Sequence, residues 1–121
     1  MGWMTGRLRN LRAHGARCRR DGAAQGTALT LAALLVAAGA LDVLSTNASL
    51  AAGNTEDNPL VAALQRGWGV WWFVPKMAVH LALAAVVPWL PSRRMIRHAR
   101  AGVLLYAAIV AGNLHLAGWT L

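Results

Sequence analysis

Two charged side chains and one histidine interrupt stretches of sequence that are otherwise apolar. Asp42 lies late in the first stretch, and Lys76 and His80 lie in the second. Ionisable side chains are costly inside a bilayer and usually face a partner or a cavity. A carboxylate and an ammonium group can neutralise each other, or can act as general base and electrophile. These residues are therefore the first candidates for a polar site.

Helical spacing places these side chains on two faces. Asp42 and Thr46 are four residues apart, as are Lys76 and His80, and residues at this spacing share one face of a helix. We expect the two polar faces to meet and to form an Asp42–Lys76 ion pair. Glu56 is the competing partner for Lys76.

The segment between the two stretches adds further polar groups. Glu56 and Asn58 precede Pro59, and proline is common in the first turn of a helix, after an asparagine cap. These two residues either order the loop or belong to the site. The complete candidate site comprises Asp42, Thr46, Glu56, Asn58, Lys76 and His80.

Lys76 is the only lysine among twelve basic residues, the other eleven being arginine. Lysine carries a compact ammonium group instead of a planar guanidinium group, so its use here favours a specific role. Two interpretations of the Asp42–Lys76 pair stay open. It fixes the packing of two helices, as buried pairs often do, or it forms part of a functional site. We expect no bound metal and no cofactor.

Composition predicts an all-α integral membrane bundle. Apolar residues make up 57% of the chain and charged residues 13%, compared with about 25% charged residues in soluble domains. About 20 apolar residues suffice for one transmembrane helix. We predict a basic tail over residues 1–26 and a membrane domain over residues 27–121. Its three spans are residues 27–52, 68–90 and 101–121.

Tryptophans flank the second predicted span, with Trp68, Trp71 and Trp72 at its start and Trp89 at its end. This arrangement is typical of side chains that anchor a helix at both membrane interfaces. Pro75 lies inside the predicted span, where we expect it to kink the helix.

Arginine distribution predicts the orientation. Six arginines lie in the tail and four between Arg93 and Arg100, whereas the first loop has only Arg66. Basic loops stay in the cytoplasm, so we place the tail there. We expect the protein itself to lie in the inner membrane of a bacterium. We expect most of the tail to lack stable structure until the membrane orders it, and the alternative is a short surface helix over residues 7–12. The net charge of +8 fits anionic lipid, and no motif indicates nucleic acid. The predicted headgroup contacts are Arg7, Arg9, Arg12, Arg93, Arg94 and Arg97.

The same orientation predicts the depth of the polar residues. Counted at 1.5 Å per residue, Asp42 and Lys76 both lie roughly 10 Å from the outer face of the bilayer. Asn113 reaches a similar depth in the third span. The inner halves of the spans have almost no strongly polar residue. We therefore expect one polar layer in the outer leaflet.

Part of the pattern resembles a family of small prokaryotic integral membrane proteins to which no activity is assigned. The resemblance rests on Asp42-x-x-x-Thr46, Gly53-x-x-Glu56-x-Asn58-Pro59 and Lys76. It covers roughly residues 41–80 and implies a bundle of three or four spans. It indicates the candidate residues, and implies no function.

Three classes of function fit these observations. The first is an accessory, assembly or small-ligand-binding subunit, with a partner membrane protein or a second copy as its neighbour. The second is a membrane enzyme that uses Asp42 or Glu56 as base and Lys76 as electrophile, although none of the common catalytic motifs is present. The third is an oligomeric transporter coupled to ions or protons.

Overall fold

A computed structural model describes residues 2–119, and every regular element in them is helical. The five α-helices are α1 (Gly2–Arg19), α2 (Gly22–Ala51), α3 (Pro59–Trp68), α4 (Phe73–Trp89) and α5 (Arg93–Leu116). A short 3-10 turn, Gly69–Trp71, stands between α3 and α4. The predicted all-α class is confirmed.

The helices have the length and apolarity of a membrane protein. α2 and α5 are each long and apolar enough to cross a bilayer, and the bent pair formed by α3 and α4 supplies a third candidate span. Large apolar side chains on their outer surfaces, such as Leu44, Leu81 and Leu104, are more than half exposed. Lipid tails can cover such a surface, which in water would favour aggregation.

α2 is the central helix of the bundle. It packs against both α4 and α5, which contact each other much less. One end of the bundle is apolar, where a buried cluster joins α2 to both neighbours through residues that include Leu31, Val87 and Ala99. The opposite end of α2 contains Asp42, which contacts Lys76 near the start of α4. α2 and α4 are therefore antiparallel, and polar contacts concentrate at one end.

The second predicted span differs from the structure. A continuous helix over residues 68–90 with a kink at Pro75 is wrong, because the chain bends by 106° between the α3 segment and α4. Gly69 ends α3 at a positive φ of 53°, a conformation that glycine adopts without the steric cost of a side chain. Pro75 falls in the first turn of α4, where its missing N–H removes no helical hydrogen bond.

The third predicted span begins earlier than expected. The basic segment that follows α4 forms the first two turns of α5, after Ser92 caps the helix by accepting a hydrogen bond from Met95 N at 3.2 Å. The helix ends at Leu116, and residues 120 and 121 of the predicted span lie outside the described residues. An arginine-rich helical turn can continue beyond the hydrocarbon region, so charge does not mark the helix boundary.

The basic tail is helical over most of its length. Residues of the tail form α1, which contains the stretch 7–12 given as the helical alternative. At its C-terminal end, Gly15 lies against the carbonyl of Trp89, and a Cβ atom at residue 15 would stand 2.9 Å from that oxygen. The Arg19 guanidinium donates a hydrogen bond to the same carbonyl. Asp21 then caps α2 by accepting from Ala23 N and Ala24 N.

Candidate functional site

An ion pair joins α2 to α4 at the polar end of the bundle. Lys76 Nζ lies 2.8 Å from Asp42 Oδ2, and the side chains are 16% and 3% exposed, respectively. The expected Asp42–Lys76 pair is thus present, and Glu56 is not the partner at this distance. Each side chain neutralises the charge of the other, and little of either side chain is exposed.

A polar network extends from this pair to α5. Thr46 Oγ1 donates to Asp42 Oδ1 at 3.5 Å, and Ser45 Oγ donates to the Asp42 carbonyl at 3.1 Å. Asn113 Nδ2 then donates to both Ser45 Oγ and Thr46 Oγ1, each at 3.2 Å. Side-chain hydrogen bonds of this kind hold membrane helices together, so α2 is tied to both neighbours at one level.

His80 fills the contact between α2 and α4 one turn below the ion pair. Its Nδ1 lies 2.9 Å from the Lys76 carbonyl. A carbonyl can only accept, so Nδ1 carries the proton. The ring packs against Tyr106, with centroids 4.5 Å apart. Its Nε2 is buried and has no hydrogen-bond partner among the described residues.

The close approach at His80 requires a glycine on α2. A Cβ atom at Gly39 would stand 2.6 Å from Cδ2 of the His80 ring, far inside van der Waals contact. Gly39 itself is buried. Because the histidine is 2% exposed, it has little room to move, and the missing side chain of Gly39 sets the distance between the two helices.

Trp72 occupies a different place from the one expected of an interfacial anchor. It is 5% exposed, and Lys76 Nζ lies 5.3 Å from the centroid of its ring. Such a cation–π contact adds to the stabilisation of a partly desolvated ammonium group. Trp68 and Trp71, in contrast, are 54% and 62% exposed. Only part of the tryptophan cluster is therefore available to lipid.

The loop residues Glu56 and Asn58 order the start of α3. Asn58 is its N-cap, and its side chain accepts from Leu60 N at 3.0 Å. Glu56 Oε1 accepts from Asn58 N at 2.9 Å. Nearby, Asn54 Nδ2 donates to the Leu116 carbonyl at 2.8 Å, which holds the loop against the end of α5. Both Glu56 and Asn58 thus have a structural role in the loop, and this role is compatible with a second role in the candidate site.

All six predicted site residues line one cavity. Its volume is about 670 Å³, within the range of small-molecule sites. Four helices and the loop before α3 contribute to its wall. The side chains that complete the lining are mainly apolar: Leu60, Val61, Leu64, Pro75, Val79, Tyr106 and Ile109, together with Asp57 and Asn113.

Sequence reasoning left three contributors out of the candidate site: Trp72, Tyr106 and Asn113. A signal for each of them existed. Tyr106 and Asn113 are seven residues apart and share a face of α5, at the depth of the other polar groups. Trp72 lies four residues before Lys76 and so shares its face, but residue type alone did not separate it from the neighbouring tryptophans. Within residues 2–119, no group of three His, Cys, Asp or Glu side chains is placed to hold a metal ion.

The arginines predicted to contact headgroups are exposed on α1 and on the first turns of α5. α1 contacts the bundle where α4 ends, through Gly15 and Arg19. Ala99, near the start of α5, belongs to the apolar cluster at that same end. The two basic segments therefore lie at the end of the bundle opposite the cavity.

Comparison with known proteins identifies a family without identifying an activity. No curated protein and no solved structure matches the chain significantly. A family profile matches residues 33–118, a range that includes all of the candidate site and most of the bundle. The chain thus belongs to the family described as domain of unknown function DUF5658.

Proposed function

We propose that this protein is a multi-span membrane protein that binds a small ligand in the cavity, as an accessory or binding subunit. One observation carries the proposal. Six polar residues from α2, α4 and the loop before α3 converge on a cavity of about 670 Å³ whose other walls are mostly apolar. An apolar pocket with a few convergent polar groups is typical of a ligand site.

The proposed orientation follows the distribution of charge. Both arginine-rich segments lie at the end of the bundle opposite the cavity. Anionic lipid attracts such segments to the cytoplasmic face. We therefore propose three crossings in a bacterial inner membrane, with the N terminus in the cytoplasm. The cavity then belongs to the outer leaflet, and Arg7, Arg9, Arg12, Arg93, Arg94 and Arg97 contact headgroups on the inner one.

Binding is better supported than catalysis. Asp42 is engaged by Lys76 at 2.8 Å and by Thr46, so neither charged group is a free base or a free electrophile. Transport by a single copy is also poorly supported. At the other end of the bundle, Leu31, Leu35 and Val87 pack together, which leaves no polar path along α2.

Native mass spectrometry of protein extracted in mild detergent tests the proposal. Ile109→Trp should fill the cavity, because Ile109 forms part of its wall. Leu105→Trp is the matched control, one turn earlier on α5 and 61% exposed, and it does not line the cavity. We expect a bound small molecule on the wild type and on the control, and its loss from Ile109→Trp. Retention by Ile109→Trp, or a wild type that never has a bound mass, would contradict the proposal.

A further inference from the structure

The cavity reaches the outer surface of the bundle between α4 and α5. Val79 of α4 and Ile109 of α5 both line the cavity, yet they are 58% and 39% exposed. The two helices pack on α2 and contact each other little, so a cleft separates them. Because the outer surfaces of these helices are apolar, the cleft faces lipid tails in the proposed orientation.

α3 covers part of the cavity on the aqueous side. Leu60, Val61 and Leu64 of this helix all line the cavity, and Val61 is buried against Val43 and Trp72. On this side the cavity is covered in part, because Leu60 is 69% exposed and Asp57 is exposed. A molecule dissolved in the bilayer meets the cleft between α4 and α5 directly.

Charge at the cavity has the opposite sign to the charge of the chain. Three of the four carboxylates in the sequence, Asp42, Glu56 and Asp57, line it together with the single lysine. Asp42 and Lys76 neutralise each other. Glu56 accepts a backbone hydrogen bond from Asn58, which leaves its negative charge in place, and Asp57 is exposed. The cavity is thus net negative on its loop side, in a chain of net charge +8.

We propose that the ligand is an amphiphile dissolved in the bilayer, with an apolar body and a cationic head, and that it enters sideways between α4 and α5. This inference rests on the proposed function of the cavity as a ligand site. The head lies near Glu56 and Asp57, and the body packs against Val79 and Ile109. Apolar contacts hold the ligand, and the positive charge of its head group provides selectivity over anionic amphiphiles.

A matched pair of fluorescent probes tests the charge of the head. The trimethylammonium and propionate derivatives of diphenylhexatriene share one apolar body and differ in the sign of the head. Each is titrated into the protein in zwitterionic nanodiscs, and energy transfer from tryptophan is recorded. We expect saturable transfer with the cationic probe and about fivefold weaker binding to the double variant Glu56→Gln, Asp57→Asn. Equal or tighter binding of the anionic probe would overturn the cationic head.

Two further double variants locate the bound probe. Val79→Phe with Ile109→Phe narrows the cleft, and saturable transfer should disappear. Leu81→Phe with Leu105→Phe places the same two aromatic side chains on α4 and α5 at exposed positions that do not line the cavity, and transfer should persist. If saturable transfer is lost in both double variants, or in neither of them, the probe binds elsewhere.

Cross-linking tests the sideways route. Val79→Cys and Ile109→Cys are introduced together in a Cys18→Ala background, and a bifunctional maleimide bridges α4 and α5. Uptake of the cationic probe should slow by about tenfold or more when bridging precedes the probe, since a closed cleft leaves only rare openings. Loss of a probe loaded earlier should slow equally. N-ethylmaleimide, which modifies both cysteines without a bridge, is the control.

The outcomes separate the two proposals. Unchanged uptake after bridging would overturn the sideways route and leave the cavity as a ligand site. The absence of saturable binding by either probe, together with a wild type that has no bound mass in native mass spectrometry, would overturn the ligand site itself.

Discussion

Lys76 takes part in three contacts of the site. Its ammonium group pairs with Asp42 and lies over the Trp72 ring, while its carbonyl accepts from His80. Two of these contacts depend on the positive charge. A residue that only filled space could be replaced by an apolar side chain of similar length, whereas the loss of one partner of a buried pair leaves an uncompensated charge.

Single substitutions of the pair should therefore be more harmful than the double substitution. We expect Asp42→Asn and Lys76→Met each to lower the free energy of unfolding by about 3 kcal/mol, and the double variant to regain much of this loss. Chemical unfolding in mild detergent, followed by circular dichroism, measures the effect. Asp57→Asn, at an exposed carboxylate, should have little effect. A double variant as unstable as the sum of the single variants would contradict the neutralisation argument.

At the scale of the helices, the packing of α2 determines where the polar groups meet. The polar layer forms because α2 and α4 approach closely at Gly39, which brings the face of Asp42 and Thr46 against the face of Lys76 and His80. A larger side chain at residue 39 would separate the helices at the level just below the ion pair. Stability and site geometry therefore depend on the same contact.

Gly39→Ala should destabilise the bundle, although alanine favours helix. The added methyl group would clash with the buried His80 ring, and we expect a loss of about 1–3 kcal/mol from overpacking. Gly26→Ala is the control on the same helix, because nothing lies within 4 Å of a Cβ atom there. It should be neutral or stabilising by about 0.5–1 kcal/mol. Thermal unfolding of both variants decides the matter, and equal melting temperatures would refute the close-contact explanation.

At the scale of the whole molecule, the bundle has two distinct ends, because α2 and α4 are antiparallel. One end contains the Asp42–Lys76 pair, and the other contains the apolar cluster. The loop before α3 is held to the end of α5 by Asn54, whereas α1 contacts the end of α4. Three crossings are consistent with this arrangement, and the charge distribution then selects one of two orientations.

Cysteine labelling of intact cells can test the proposed orientation. In a Cys18→Ala background, Thr55→Cys should react with a membrane-impermeant maleimide, since Thr55 is exposed in the loop before α3. Gly22→Cys, at the start of α2, should react only after the cells are broken. The background protein, which contains no cysteine, should stay unlabelled. The reverse pattern would invert the topology and move the cavity to the cytoplasmic leaflet.

The residues that meet in the site could be predicted better than the helix boundaries. Helical spacing gave Asp42 and Lys76 defined faces, and two opposite charges in apolar segments need a partner, so their pairing followed. The break before α4 was missed because tryptophans continue the apolar stretch across Gly69. Amino-acid composition does not reveal that Gly69 adopts a positive φ. The start of α5 was missed because arginines mark the limit of the hydrocarbon region and not the limit of a helix. The cavity depends on the 106° bend between the α3 segment and α4, an angle that no local pattern indicated.

The ion pair also has a consequence for biogenesis. α4 has 17 residues, so it is about 26 Å long, shorter than the roughly 30 Å hydrocarbon core. It also contains Lys76 in its first turns, and a lysine costs up to about 2.5–3.5 kcal/mol, the value at a helix centre, when a helix enters the membrane alone. α2 leaves the ribosome first and bears Asp42, which can neutralise the lysine as it arrives. The two helices are therefore expected to partition into the bilayer as a hairpin, with the earlier segment acting as an intramolecular chaperone for the later one.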